Sequence, residues 1–577
     1  MSIILGLDTG GTYTDGVLVD KETRIVLSKA KALTTKEKLS IGIEECIENL
    51  SISCIEEISL VCFSTTLATN AIVEDKGCDS GLVIIGKHPE GPVPTPNVHT
   101  VRGVMDIYGN PIVSIDKDEI REVASRLKKS VDAVAVSGYA SVRNPCLEKE
   151  VKEILSEEFG IPVVCAHELT SMLGYYERTV TAVLNARLIP IINELICECR
   201  LILDRIGVSA PLMIVKSDAS LMLDETAVKK PVETILSGPA ASIHGGLFLS
   251  GMRDALIIDI GGTTTDVADI EEQTIRLNEN GSDIGGWRTR VKAVDITTRG
   301  LGGDSRLVID DNMKYGISFG PERVTPLCRA CFFDRSLVEK LERCGETTGK
   351  DRGLRGFLKA LYDLNPTRPT SFTPTDVLHA KGLYTKWLSS ASGIAAGMIA
   401  RELSMPTEDF LDICIEQVSD QLADASLAGT RKSLCDNKRH KGKTIVAIGA
   451  PALSWSGSLS RKLAREVIVP SNAEVANAIG AAIGKVVHRT EALIRPEPYT
   501  DDFVTYTKAG RETFKDYDDA VTYCMTSLKE YLAALCEADG ASLQEFIEET
   551  DPVYTTDPYT YVETRITISA IANPNTV

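Results

Sequence analysis

One phrase occurs twice in this chain. Residues 5–20 read LGLDTGGTYTDGVLVD and residues 257–270 read IIDIGGTTTDVADI. Each copy sets a short apolar run, which fits a buried strand, directly before an aspartate, a glycine pair and threonines. A second aspartate follows the first at the same interval in both, Asp15 after Asp8 and Asp266 after Asp259. A phrase repeated this far along a chain marks a duplicated unit, so the fold has to accommodate two similar lobes.

The residue types of the phrase dictate its chemistry. Paired glycines let the backbone turn and approach a ligand closely, and the N–H groups of the turn then face outward without side-chain obstruction. Such a turn suits phosphate: Gly10 and Gly11 in the first copy, Gly261 and Gly262 in the second, with hydroxyl donors from Thr12 and Thr14 and from Thr263, Thr264 and Thr265. A carboxylate repels phosphate unless a divalent cation lies between them. Asp8 and Asp259, at the ends of their strands, are therefore expected to position a hydrated Mg2+, and the combination predicts a metal-bound nucleotide. Two such turns facing one cleft would clamp a polyphosphate from both sides, and lobe closure would exclude water. Asp15 and Asp266 divide between ordering the turn and catalysis. A third glycine turn, AIGAPA, sets Gly449 to Ala452 against the adenine or ribose.

The rest of the chain supports an α/β fold of two lobes. At 577 residues it is too long for a single hydrophobic core. Apolar runs such as ISLVCFS, GLVIIG, VDAVAVSG, PLMIVKS and DALIIDI alternate with stretches of helical period such as KLSIGIEECIENL. Residues 173–206 form a long helical connector, with Pro190 predicting a kink or a break into two helices. The stretch near 312–375, irregular and rich in charge and proline, reads as an insertion. AEVANAIGAAIGKVV predicts a helix whose small-residue face packs closely on a neighbour. The expected units are residues 1–172, 173–490 and a small C-terminal unit, 491–577.

Composition excludes several function classes. The net charge of −19 repels phosphate polyanions, so neither a general nucleic-acid surface nor an anionic membrane surface is expected. The chain start lacks a basic targeting region and no run is read as long enough to span a bilayer, which predicts a cytoplasmic protein. Fifteen cysteines are scattered singly through apolar stretches and read as reduced core residues. Cys328 and Cys331 form one CxxC, with Cys344 beyond, but no second pair completes a metal site. The seven histidines form no HExxH.

Taken together, DTGGTYTD, STTLATNAIVE, ELTSMLGYYERTVTAVLNA, MIVKSDASLM, LSGPAAS, DIGGTTTDVA and VPSNAEVANAIGAA resemble the hydantoinase A and 5-oxoprolinase family across most of residues 1–490. The resemblance implies two ribonuclease-H-like lobes of the actin-like ATPase type with an interlobe cleft and a small C-terminal appendage. It also implies an ATP-dependent hydrolase subunit: ATP phosphorylates the oxygen of a cyclic amide, and the activated carbon is hydrolysed. Related members are carboxylase subunits acting on ketones, and a regulatory ATPase without small-molecule turnover is a third reading. In this picture Asp8 and Asp259 hold Mg2+, Gly10, Gly11, Thr12, Gly261, Gly262, Thr263 and Thr264 hold phosphates, and Gly302, Gly303 and Gly449 complete the nucleotide site. The implied partner is a hydantoinase B-type subunit; the oligomeric state stays open, a homo-oligomer included. Two positions depart from the family pattern. Where the family often has a glycine triplet followed by serine this chain has GLGGDSRL, so Asp304 adds a carboxylate toward the metal or the attacking water, and NPCLE places Leu147 where a histidine is common.

Overall fold

The computed structural model describes residues 2–35, 38–52, 55–310, 316–347, 353–431, 442–497, 500–554 and 561–576. Each copy of the repeated phrase folds as the central hairpin of a five-stranded arrangement. In the first lobe β1 (Ile3–Thr9) runs antiparallel to β2 (Tyr13–Asp20), and β2 to β3 (Val26–Leu33). On the other side of β1 lie β4 (Ile58–Thr65) and then β5 (Leu212–Val215), both parallel to it. The second lobe repeats this with β6 (Ala255–Ile260), β7 (Thr265–Glu271) and β8 (Thr274–Ile275) antiparallel in turn, and β9 (Thr444–Ile448) and β10 (Val467–Ile468) parallel. The orders β3–β2–β1–β4–β5 and β8–β7–β6–β9–β10 are one topology, that of a ribonuclease-H-like unit. The central strands are apolar on both faces because helices cover both.

Two helices lie between the sheets. α2 (Ser237–Ser250) and α3 (Ala476–Ala482) contribute Ala240, Ile243 and Ala476 to the core under the second sheet, and Ala241, Ala478 and Ile479 to the core under the first. The small-residue face expected of α3 does close against a neighbour: a Cβ on Gly480 would overlap the Ala241 carbonyl oxygen, and one on Gly245 that of Ala476. Helix α1 (Tyr175–Ile206) precedes both in the chain. It is one continuous helix with Pro190 inside, not two. Val180, Leu184 and Leu188 pack on the first sheet, while Ala182, Val183 and Ala186 pack on a separate parallel sheet of Ser80–Ile85, Asn97–Val101, Ala133–Gly138 and Val163–Cys165. Contacts on all sides of its first half, residues 178–186, explain the apolar composition there. It contains an 18-residue window of mean hydropathy 1.5, long and apolar enough to cross a bilayer, which the sequence reading overlooked; 61% of that window is buried in the fold.

The expected boundaries shift. β5 joins the first sheet, so that lobe continues past residue 172. The strand Val486–Pro496 straddles the boundary at 490 and extends the same sheet from Leu221–Leu223, with Phe503–Thr507 and Tyr561–Pro574 added beyond it. The C-terminal residues therefore build onto the first lobe, covered by a helix, Tyr517–Ala538, that the acidic and aromatic composition hid. Of the stretch 312–375, residues 312–315 and 348–352 lie outside the described residues. The described part is largely helical, and its helices continue to Arg431. Phe357, Phe372, Val377, Ile399 and Phe410 pack with Leu256, Ile258 and Val267 on the outer face of the second sheet.

Candidate functional site

The two glycine turns meet in a cleft of about 830 Å³ between the lobes. They nearly touch, since a Cβ on Gly262 would stand 2.9 Å from Thr12 Oγ1. Both turns close by the same bond: Gly10 N–H donates to the Tyr13 carbonyl at 2.9 Å and Gly261 N–H to the Thr264 carbonyl at 3.0 Å. Among the described residues the amides of Gly11, Thr12, Gly262 and Thr263 take no acceptor from the protein. Each lobe thus offers a pair of exposed donors to the cleft, the arrangement that suits phosphate oxygens.

Strand register brings the acidic residues together. Asp8 stands opposite Asp15, and Asp259 opposite Asp266, across the two hairpins. Asp8 accepts from Ser64 Oγ at 2.5 Å and Asn477 Nδ2 at 2.7 Å; the same Asn477 amide donates to Asp15 at 2.7 Å. Lys31 pairs with Asp15 at 2.5 Å. Asp259 takes a hydrogen bond from Ser242 in the second turn of α2, and Asp266 accepts from Thr298 at 2.6 Å and Thr264 at 3.3 Å. Burial pushes the Asp8 carboxyl up to about 7, with the charges of Asp15 and Asp259 adding to it against the Ser64 and Asn477 donors. Asp266 rises to about 6, by burial first and the Asp259 charge after it, and Asp259 itself is raised by burial. Lys31 already neutralises one of these carboxylates, Asp15; the others, gathered this closely, fit a divalent cation.

The opposite wall comes from the second lobe. Arg323 Nη2 donates to the Gly11 carbonyl at 2.9 Å and to Thr12 Oγ1 at 2.6 Å, so a side chain of one lobe holds the turn of the other. Asp304 pairs with Arg329 at 3.1 Å and lies 3.6 Å from Arg323 Nε. Its carboxylate thus anchors two guanidiniums. The amides of Gly303 and Asp304 donate to the Gly261 and Gly262 carbonyls at 3.0 and 2.7 Å, fixing this loop on the second turn. Gly449, Ala450 and Pro451 line the cleft, whereas Ala452 is buried at the start of the helix Ala452–Leu463.

Most residues singled out in the sequence line this cleft: Asp8, Gly10, Gly11, Thr12, Asp15, Asp259, Gly261, Gly262, Thr263, Thr264, Asp266, Gly303, Asp304 and Gly449. Three threonine and glycine assignments are corrected. Thr14 is fully buried, bonded to Thr9 and Thr34, because strand alternation turns it under the hairpin. Thr265 is likewise buried and donates to the Leu301 carbonyl. Gly302 packs against the Gly262 backbone, where a Cβ would collide, and makes room for the turn instead of touching a ligand. Cys328 and Cys331 are buried in the core of the helix Leu327–Phe333, their thiols pushed up by burial, Cys331 to about 12. The sequence reading missed Arg323, Arg329, Lys31, Ser64, Ser242 and Asn477. Ser64, Ser242 and Asn477 lie in the family-like phrases STTLATNAIVE, LSGPAAS and VPSNAEVANAIGAA; nothing local distinguishes the arginines.

Family models match in two consecutive parts: Hydantoinase/oxoprolinase N-terminal region over residues 4–159 and Hydantoinase/oxoprolinase over residues 178–333. The chain is 25% identical to the acetophenone carboxylase gamma subunit of Aromatoleum aromaticum, over 87% of this chain and 71% of that one. It is 26% identical to the caprolactamase subunit alpha of Pseudomonas jessenii over 53% of this chain, spanning 49%, about half, of that relative's length. In fold it is similar to the nucleotide-free structure of acetone carboxylase, with TM-score 0.71 and 19% identity, covering 99% of this chain and 88% of that one.

Proposed function

We propose that this chain, which belongs to the hydantoinase/oxoprolinase family, is the ATP-using subunit of an enzyme that opens a cyclic amide of the hydantoin, 5-oxoproline or lactam type. The observation that carries this reading is the meeting of two Asp-Gly-Gly-Thr turns, each with a free pair of amides, across one buried acidic cleft. Nothing in that arrangement suits a substrate without phosphates as well as it suits one with them.

In this reading the amides of Gly11, Thr12, Gly262 and Thr263 donate to the phosphate oxygens, and the N-terminal end of α2 adds its partial positive charge. A Mg2+ ion held through water by Asp8 and Asp259 would neutralise the triphosphate. Gly449 to Pro451 border the nucleoside. Arg323 and Arg329, kept in place by Asp304, stabilise charge on the transferring phosphoryl group. A bond forms between the amide oxygen and the γ-phosphorus as the bridging P–O bond of ATP breaks and ADP leaves. Water then attacks the activated carbon and the C–N bond breaks with the nitrogen taking a proton, which leaves an acyl phosphate; a second water cleaves it to the carboxylate and phosphate. A B-type partner subunit completes the enzyme.

The experiment is phosphate release from the purified chain, alone and with its candidate partner, across hydantoins, 5-oxoproline and lactams. Turnover that rises with one of these supports the reading, and indifference to all of them removes it. A carboxylase subunit is the second reading, favoured by the alignment with acetophenone carboxylase over 87% of the chain. ATP consumption that needs both bicarbonate and a ketone selects it.

Two variants separate ligand contacts from framework. Arg323→Ala is expected to lower turnover by about 10²–10³ and, because it also releases Gly11 and Thr12 and takes one partner from Asp304, to cost about 1–3 kcal/mol of stability; turnover within a factor of two of wild type would contradict its role. Thr14→Val is expected to cost about 1 kcal/mol of stability with unaltered ATP affinity, measured by urea unfolding and by nucleotide titration.

A further inference from the structure

A second cavity, of about 370 Å³, lies in the four-stranded parallel sheet. The strands stand in the order Val163–Cys165, Ala133–Gly138, Ser80–Ile85, Asn97–Val101. From Ser80–Ile85 the chain passes to its neighbour on one side, and afterwards crosses to Ala133–Gly138 on the other. Loops leaving the carboxyl ends of these two strands therefore part in opposite directions, and such a crevice is where open parallel sheets bind ligands. The cavity is lined by those loops: Ile85 to Lys87, Gly138 to Ser141, and Gly103 to Met105 after the third strand. The loops come so close that a Cβ on Gly86, whose φ is +74°, would overlap the Gly103 carbonyl.

The polar groups here are lopsided. Acceptors are already engaged: Glu148 accepts from Gly138 N at 2.7 Å, from His167 N at 3.1 Å and from His167 Nδ1 at 2.5 Å. The carbonyls of Gly138 and Tyr139 accept from Arg178 Nη2 at 3.1 and 3.0 Å, and Ser141 Oγ donates to the Gly138 carbonyl. Donors are not engaged: among the described residues the amides of Lys87, Tyr139 and Ala140 take no acceptor from the protein. Arg178 is buried and acts on Glu148, offsetting its charge. Lys87 stands at the mouth, 5.7 Å above the Tyr139 ring and 3.9 Å from the exposed Glu90. Asn144 also lines the cavity, with its NH2 donating to the Gly109 carbonyl and its oxygen accepting from Cys146 N; the remaining lining, Ile85, Val104, Met105, Ala140 and Leu147, is apolar. Leu147 is the residue that departs from the family's histidine, and it makes this wall a hydrocarbon surface.

We propose that this cavity binds a small organic monocarboxylate, of a size up to benzoate, with its carboxylate on the free amides and Lys87 and its hydrocarbon part on Val104, Met105 and Leu147. The site is independent of the nucleotide cleft. Tyr175 at one end of α1 donates to the Lys87 carbonyl beside this cavity, whereas Ile191 lines the cleft. At about 1.5 Å of rise per residue the two lie roughly 24 Å apart along that helix.

The test uses the full chain, titrated with butyrate and benzoate, and with butyramide and butylamine as neutral and cationic counterparts, by calorimetry and saturation-transfer NMR. The expected result is binding of the carboxylates, at least tenfold weaker binding of butyramide and none of butylamine, all unaffected by a saturating ATP analogue. Lys87→Glu, at an exposed position, and Ala140→Leu, which fills the cavity, should each weaken butyrate at least tenfold and leave ATP affinity unchanged. The proposal is overturned if butyrate fails to bind, if butyramide binds equally well, if the ATP analogue displaces butyrate, or if both variants bind it normally.

Discussion

Asp8→Asn is expected to abolish ATP turnover and, at the same time, to raise the melting temperature of the ligand-free protein. Both effects come from one property, the burial of a carboxylate beside Asp15 and Asp259. In the folded chain Asp8 titrates near 7, against 3.8 for the unperturbed group, so the folded state holds its proton more tightly than the unfolded state does. The stability this confers is complete below about pH 4 and is lost as pH rises through about 7, where the ionised group sits uncompensated. Asparagine carries no charge; its one carbonyl oxygen can still accept from Asn477 Nδ2, while its NH2 donates to Ser64 Oγ, whose hydroxyl then accepts instead of donating. At pH 8 it should therefore stabilise by a few kcal/mol, on the scale of roughly 1.4 kcal/mol per unit of displaced pKa, and at pH 4 by almost nothing. Scanning calorimetry at the two pH values, with phosphate release on the same preparations, checks both halves. A variant that turns over ATP normally, or that melts below wild type at pH 8, contradicts the account. Mg-ATP should protect wild type against melting and leave the variant unprotected.

Gly245→Val is expected to have the larger effect on folding. A Cβ at this position would overlap the carbonyl oxygen of Ala476, and no rotamer change relieves a clash with backbone. Helices α2 and α3 would have to separate, and both sheets rest on them. Overpacking a core commonly costs about 1–3 kcal/mol, and a forced helix separation should stand at or above the top of that range. The same pair of helices carries Ser242 to Asp259 and Asn477 to Asp8. Loss of turnover should therefore accompany loss of stability, and Gly245→Ala should show a milder form of both. Urea unfolding monitored by circular dichroism measures the first. Wild-type stability in Gly245→Val would mean that the helices do not pack as closely as described.

The duplicated phrase was legible because its message is local: strand, turn and carboxylate lie within a few residues, and both copies fold as read. The small face of ANAIGAA was legible for the same reason, since glycine and alanine at helical spacing announce a close neighbour. What stayed hidden was set by distance. Arg323 reaches Gly11 and Thr12 from the far lobe, and its neighbourhood in the sequence is an undistinguished charged stretch. Thr14 was misplaced because a threonine in a phosphate-like phrase and a threonine turned under a hairpin look alike until strand alternation is applied. The helices beyond Asn312 were obscured by charge and proline, although their buried residues follow helical spacing once Phe357, Leu358 and Leu361 are seen on one face.

The first lobe draws on both ends of the chain. Strand Ile3–Thr9 needs α3 against it, with Gly6 close to the Ala478 carbonyl, and the sheet ends in strands that run to Pro574. Contacts of such long sequence separation close late and slowly. During synthesis the hairpin of Ile3–Asp20 must wait, unprotected, until α3 and the strands up to Pro574 have left the ribosome, which makes this lobe the natural point of chaperone dependence. A fragment ending after α1 should aggregate, while the parallel sheet of residues 80–165, whose strand pairings are all its own, is the piece that can form early.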